Sequence, residues 1–117
     1  SLYGYHSPSE HEIHIASTLQ DTAAFSTLTH EFGHALAHGS VEESLNINLH
    51  QKEFEADVMS IMFCQHYGLE ITDERKSHLS GHYKDWKKSD PNNFIRIKVC
   101  GKCLTYLGNT QLSWIKK

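Results

Sequence analysis

Residues 29–39 read Thr-His-Glu-Phe-Gly-His-Ala-Leu-Ala-His-Gly, so His30 and His34 stand four positions apart with Glu31 beside the first. That spacing has a geometric meaning on a helix, where residues four apart lie one turn apart on the same face. The surrounding pattern supplies the helix. Phe25, Leu28, Phe32 and Ala35 recur at helical spacing, Asp21 can serve as the N-cap, and Gly39 follows His38 as a C-terminal stop. Together they predict a helix over about 22–38. Gly33 is out of place in its interior, where glycine costs about 1 kcal/mol relative to alanine. It makes sense if another backbone packs closely there.

The flanking segments define the rest of the architecture. Leu2-Tyr3-Gly4-Tyr5, the turn cluster Ser7-Pro8-Ser9-Glu10 and the alternating Glu12-Ile13-His14-Ile15 read as a β-hairpin. A second helix is expected from about Leu49 to Tyr67, with Phe54, Val58, Ile61 and Met62 apolar and Gly68 ending it. Its second half is apolar nearly all round and should be buried. Thr72-Asp73-Glu74 opens a third helix to about Lys87. Asp90-Pro91 signals a fourth, on which Ile95, Val99, Cys103 and Tyr106 line up. The expected class is α+β, a small front hairpin packed on a helical body with the histidine-bearing helix central.

At 117 residues the chain has room for one domain with one core, 1–117. It opens on Ser1 rather than Met, as expected of a piece of a longer protein. No apolar run approaches the roughly 20 residues that span a bilayer, and no signal-peptide pattern is present. Three cysteines cannot pair fully, which favours a reducing, cytoplasmic setting. Charge is uneven: residues 1–83 carry 12 acids against 3 Lys/Arg, and residues 84–117 carry 2 acids against 8. The basic tail could touch a nucleic acid or an acidic partner, or be a solvated face. All ten histidines fall at or before His82, and imidazole is the commonest protein ligand of zinc.

On one helix face His30 and His34 can converge on one ion with nitrogens at about 2.0–2.1 Å. Glu31, adjacent to the first, is placed to act on a metal-bound water rather than on the metal. Glu53 and Asp57 lie one turn apart on the second helix, and two helices packed side by side would bring that face onto the histidines. Glu53 then completes a two-histidine, one-carboxylate site with an open fourth position, an arrangement that suits a single Zn2+ ion. Asp57 would accept the second ring N–H of a ligand histidine. Glu55 is about 200° round the helix from Glu53, so both cannot face the metal; Glu53 alone has an aspartate four residues on. His38 lies about 12 Å along the axis from His30, too far to share its ion, and is expected at the negative helix C-terminus. His50, His66, His78 and His82 read as surface or core histidines. Cys100 and Cys103 lack the second ligand pair of a zinc ribbon, and Cys64 reads as a small buried hydrophobe.

His30-Glu31-x-x-His34 followed by Glu53-x-x-Ala56-Asp57 resembles the gluzincin pattern. More narrowly, the chain resembles the ImmA/IrrE-like metallopeptidases, and within them the peptidase domain of ArdC-like antirestriction proteins of mobile elements and phages. The resemblance runs through Gly4-Tyr5-His6-Ser7-Pro8, Ile13-His14-Ile15, Thr27-Leu28-Thr29-His30-Glu31, Lys52-Glu53-Phe54-Glu55-Ala56-Asp57 and Cys64-Gln65-His66-Tyr67-Gly68-Leu69, about two-thirds of the chain. It implies a zincin-like fold and a zinc-dependent endopeptidase acting on a protein or peptide. Glu12 to Ile15 would be a strand at the cleft rim, with Ile13, His14 and Ile15 docking substrate. Nothing matches the DNA-binding segment of ArdC-like proteins. On this reading Glu31 takes a proton from water activated by zinc and returns it to the leaving amine. A further donor, Tyr83, His82, Tyr3 or Tyr5, meets the developing charge. A non-catalytic, zinc-stabilised interaction module and a nucleic-acid binder using the basic tail are the alternatives.

Overall fold

The computed structural model describes residues 3–7, 9–39, 47–91 and Thr105. Strands β1 (Gly4–Ser7) and β2 (Glu12–Ile15) are followed by helices α1 (Asp21–Ala37), α2 (Leu49–His66) and α3 (Asp73–Ser89). The class is α+β, as the alternation of residues 12–15 and the later helical periods predict. The strands pair antiparallel with Gly4 opposite Ile15 and Ser7 opposite Glu12, through a turn in which His11 takes a φ of 55°. β1 lies close against α1: a Cβ at Gly4 would stand 2.6 Å from the His14 carbonyl oxygen and 2.9 Å from Thr27 Cγ2. A side chain there would force both the β2 backbone at His14 and the Thr27 side chain of α1 to shift.

Caps set the helix starts. Asn48 Oδ1 accepts from the backbone N–H groups of His50 and Gln51 at 2.8 and 3.4 Å, and Thr72 Oγ1 accepts from Arg75 N–H at 3.1 Å. At α1 the expectation fails by one residue. Gln20 is the N-cap, without a side-chain bond, and Asp21 lies in the first turn. There the carboxylate favours the helix through its dipole rather than through a cap bond. Asp90 closes α3 by donating its N–H to the Trp86 carbonyl at 2.8 Å. The fourth helix expected beyond it, the Cys100–Cys103 pair and most of the basic tail lie outside the described residues.

The body is built on the crossing of α1 and α2. Thr29 Oγ1 and Ser60 Oγ are 2.6 Å apart, and one turn along each helix a Cβ at Gly33 would meet the Ala56 carbonyl oxygen at 3.0 Å. The partners occur in opposite order, so the helices run antiparallel, and small residues at the crossing let the backbones approach. Ala37, Met59 and Phe63 form the buried cluster behind this contact, with Phe32, Leu36 and Met62 against it. α3 closes the other flank with Trp86, which is fully buried against Phe54 at a ring separation of 5.4 Å. No residue from Val58 to Cys64 is exposed, as expected for the second half of α2. Its most deeply buried positions include the polar Glu55, Asp57 and Ser60, each at 0% exposure. No described helix is long and apolar enough to cross a membrane.

Candidate metal centre

Because α1 and α2 touch through Gly33 and Ala56, the side chains flanking that contact face each other across a short gap. His30 and His34 from α1 meet Glu53 from α2: His30 Nε2 is 3.0 Å from Glu53 Oε2, and His34 Nε2 is 3.3 Å from Glu53 Oε1. One ligand atom from each of the three lies within 4.8 Å of the others, so the group could hold a metal ion. Two bonds of about 2.0–2.1 Å at a tetrahedral angle separate their donor atoms by about 3.3 Å. The two nitrogen–oxygen separations are near that length but run to different oxygens of Glu53, and the donor set of two imidazoles and one carboxylate is one that zinc takes.

The inner ring nitrogens are held as well. His30 Nδ1 lies 2.8 Å from Asp57 Oδ1, the place expected for Asp57 from its spacing after Glu53. Two groups not expected at Asp57 from the sequence complete this arrangement. Arg75 Nη1 donates to the same Asp57 oxygen at 2.7 Å, and His82 Nδ1 donates to Asp57 Oδ2 at 2.6 Å. Arg75 Nη1 is also 3.3 Å from His30 Nδ1. Both nitrogens are donors directed at the carboxylate, so each bonds to the oxygen rather than to the other. Arg75 further donates to Ser26 Oγ and the Ser26 carbonyl at 3.2 and 3.1 Å, tying the start of α3 to α1. A hint was present in the sequence: Arg75 is the one arginine among the acid-rich first 83 residues. His82 carried no such signal beyond its type.

His38 is the C-cap of α1, at the helix C-terminus as expected, but its ring is turned inward: it is 2% exposed, with Nδ1 3.0 Å from His34 Nδ1 and Nε2 2.9 Å from Glu55 Oε1. Glu55 does face away from Glu53, and Gln51 donates to its other oxygen at 3.1 Å.

Electrostatics follow from this packing. Burial by itself would lower the pKa of His30, but hydrogen bonds to Asp57 and Glu53 override it and raise the value from 6.5 to about 9. Burial would raise Glu53, yet bonds from His30 and His34 hold it far below the usual carboxylate range. Asp57 is likewise opposed by burial and brought down to about 2 by His30, His82 and Arg75. On the hairpin side His6 is lowered, first by burial and then by the charges of His34, His38 and His11.

Glu31 is 4% exposed, with its carboxylate 4.0 Å from His30 Nε2. It lines a cavity of about 120 Å³ together with His30, Glu53, Arg75, His78, His82, Tyr3 and Thr27. Of the four donor candidates, Tyr3 and His82 reach this cavity. Tyr83 instead packs against Phe54, and Tyr5 stacks on His14 at a ring separation of 4.6 Å. Ile13, His14 and Ile15 are half-buried on β2 and do not line the cavity. A second cavity of about 280 Å³, lined by Leu19, Gln20, Ala23, Thr72 and Glu74, continues from the first and shares Tyr3, Thr27, Arg75 and His78 with it. No family model, no curated protein and no solved structure matches the chain.

Proposed function

We propose that this chain is a zinc-dependent metallopeptidase of the zincin type that cleaves a peptide bond in a protein or peptide substrate. The observation that carries the reading is the convergence of His30 Nε2, His34 Nε2 and the Glu53 carboxylate, with Glu31 on the wall of the cavity that His30 and Glu53 also line. A zinc ion held by those three residues supplies a Lewis acid that activates water and polarises a carbonyl. The protein's own groups do the rest. Glu31, buried beside His30, takes a proton on its carboxylate and passes it to the leaving amine. Asp57 keeps the His30 ring in the orientation that turns Nε2 toward Glu53. Tyr3, on the cavity wall, supplies a donor to the developing negative charge, and His82, whose Nδ1–H is held by Asp57, can do so only when protonated on both nitrogens. The adjoining cavity receives the part of the substrate next to the bond that breaks. Strand β2, with Ile13, His14 and Ile15, takes the extended peptide beyond the cavity.

A carboxylate at Glu31 favours an enzyme over a purely structural zinc site, which has no use for a base there. Glu31→Gln separates the two. The variant should retain zinc at the parent's stoichiometry while peptide cleavage falls at least 100-fold, in line with loss of a general base. Zinc retained with cleavage unchanged would remove Glu31 from the mechanism. Absence of zinc from the parent after equilibration with one equivalent would remove the whole reading.

A further inference from the structure

The two histidines differ in how their inner nitrogens are held. His30 Nδ1 meets a carboxylate directly, Asp57 at 2.8 Å, whereas His34 Nδ1 meets another imidazole, His38, at 3.0 Å. A neutral imidazole carries one N–H and one lone pair. If His34 ligates through Nε2, the nitrogen that faces Glu53, its proton must sit on Nδ1 and be donated to His38. His38 Nδ1 is then the acceptor, and its own proton must sit on Nε2, 2.9 Å from Glu55 Oε1. Each assignment forces the next, and the sequence ends on a carboxylate whose second oxygen accepts from Gln51.

We infer that His38 and Glu55 are a positioning pair for His34, selecting the tautomer that turns the Nε2 lone pair toward the ligand centre. The inference rests on the zinc-site reading above. Packing alone does not account for the pair. His38 is 2% and Glu55 0% exposed, beside an apolar cluster in which two hydrophobic side chains would fill the same space without burying a carboxylate. Both zinc-facing imidazoles thus end on a buried α2 carboxylate, Asp57 directly and Glu55 through a relay. Glu55 lies opposite the end of α1, beyond direct reach of His34, and His38 spans that gap.

The test uses the full chain and zinc alone, with affinity read by competition against a chromophoric chelator and folding by circular dichroism. His38→Leu removes both relay bonds and should weaken zinc binding about 10–100-fold. His38→Gln offers one acceptor and one donor and should recover affinity to within about threefold of the parent, by the same relay logic. Glu55→Gln, which keeps an acceptor oxygen but not the charge, should fall between them. Equal affinities for His38→Leu and His38→Gln, or His38→Leu indistinguishable from the parent, would overturn the inference. Imidazole nitrogen NMR of the zinc-loaded parent decides the matter even if His38→Leu does not fold. The proton must be on Nδ1 of His34 and on Nε2 of His38, and a proton on His38 Nδ1 refutes the relay. A parent that binds no zinc sinks the underlying reading and this inference with it; a parent that binds, with unaltered variants, sinks the relay alone.

Discussion

Gly33→Ala and Gly81→Ala are the same substitution in the interior of two helices, and the structure gives them different outcomes. In the absence of contacts, alanine stabilises a helix interior by about 1 kcal/mol over glycine, partly by restricting the unfolded chain. A Cβ at Gly81 meets nothing within 4 Å, so that gain should be realised in full. At Gly33 the added carbon would lie 3.0 Å from the Ala56 carbonyl oxygen, 3.2 Å from Ala56 Cα and 3.2 Å from Met59 Cβ. Ordinary carbon contacts are about 3.5–4.0 Å, and the Ala56 backbone cannot rotate aside. Overpacking of this kind costs about 1–3 kcal/mol, which offsets or exceeds the propensity gain. Gly33→Ala should therefore leave the metal-free protein unchanged or up to about 2 kcal/mol less stable, as the balance of those two ranges requires. The clash can be relieved only by moving α1 from α2 by a few tenths of an ångström. That movement is comparable with the roughly 0.2 Å tolerance of metal–ligand distances, so zinc affinity should fall as well. Urea unfolding of the metal-free variants, with chelator competition for zinc, reads both quantities. If Gly33→Ala is stabilised as much as Gly81→Ala and binds zinc as tightly as the parent, the helices do not cross as described.

Further outcomes follow from the site and the caps. Arg75→Leu leaves Asp57, which is fully buried, without its guanidinium partner. The loss should be about 3 kcal/mol in urea unfolding, at the lower end for a broken buried pair because His30 and His82 remain, and a loss under about 1 kcal/mol would contradict the arrangement. Asn48→Ala removes the acceptor for two α2 N–H groups and should cost about 1 kcal/mol, with zinc affinity at saturation little changed. In the metal-free protein the raised His30 pKa contributes stability that is full below 6.5 and is lost as pH rises through about 9. The lowered pKa values of Glu53 and Asp57 contribute stability that is full above their ordinary values of 4.5 and 3.8 and is lost as pH falls below them. Thermal stability of metal-free protein should accordingly peak between these limits and decline on both sides. Zinc must displace the His30 proton, so its affinity should rise about tenfold per pH unit between pH 6.5 and 8.5; a flat profile there would show that His30 carries no proton for zinc to displace.

What could be read from the chain alone was what local geometry determines. The i, i+4 spacing of His30 and His34 needs nothing but a helix, and the alternation of Glu12 to Ile15 needs nothing but an extended strand. Thr72 announced a helix start by its side-chain acceptor, and even the pairing of Glu53 with Asp57 was a one-turn argument. Tertiary structure decided everything that depends on which faces meet. Gly33 against Ala56 and Thr29 against Ser60 set the crossing of α1 and α2. That crossing brings Glu53 to the histidine pair and turns Glu55 toward His38 instead. Arg75 and His82 reach Asp57 from 18 and 25 residues away, contacts with no local period to betray them. A helical repeat fixes the angle between side chains on one helix, whereas the neighbour each one meets is set by how closely two backbones can approach.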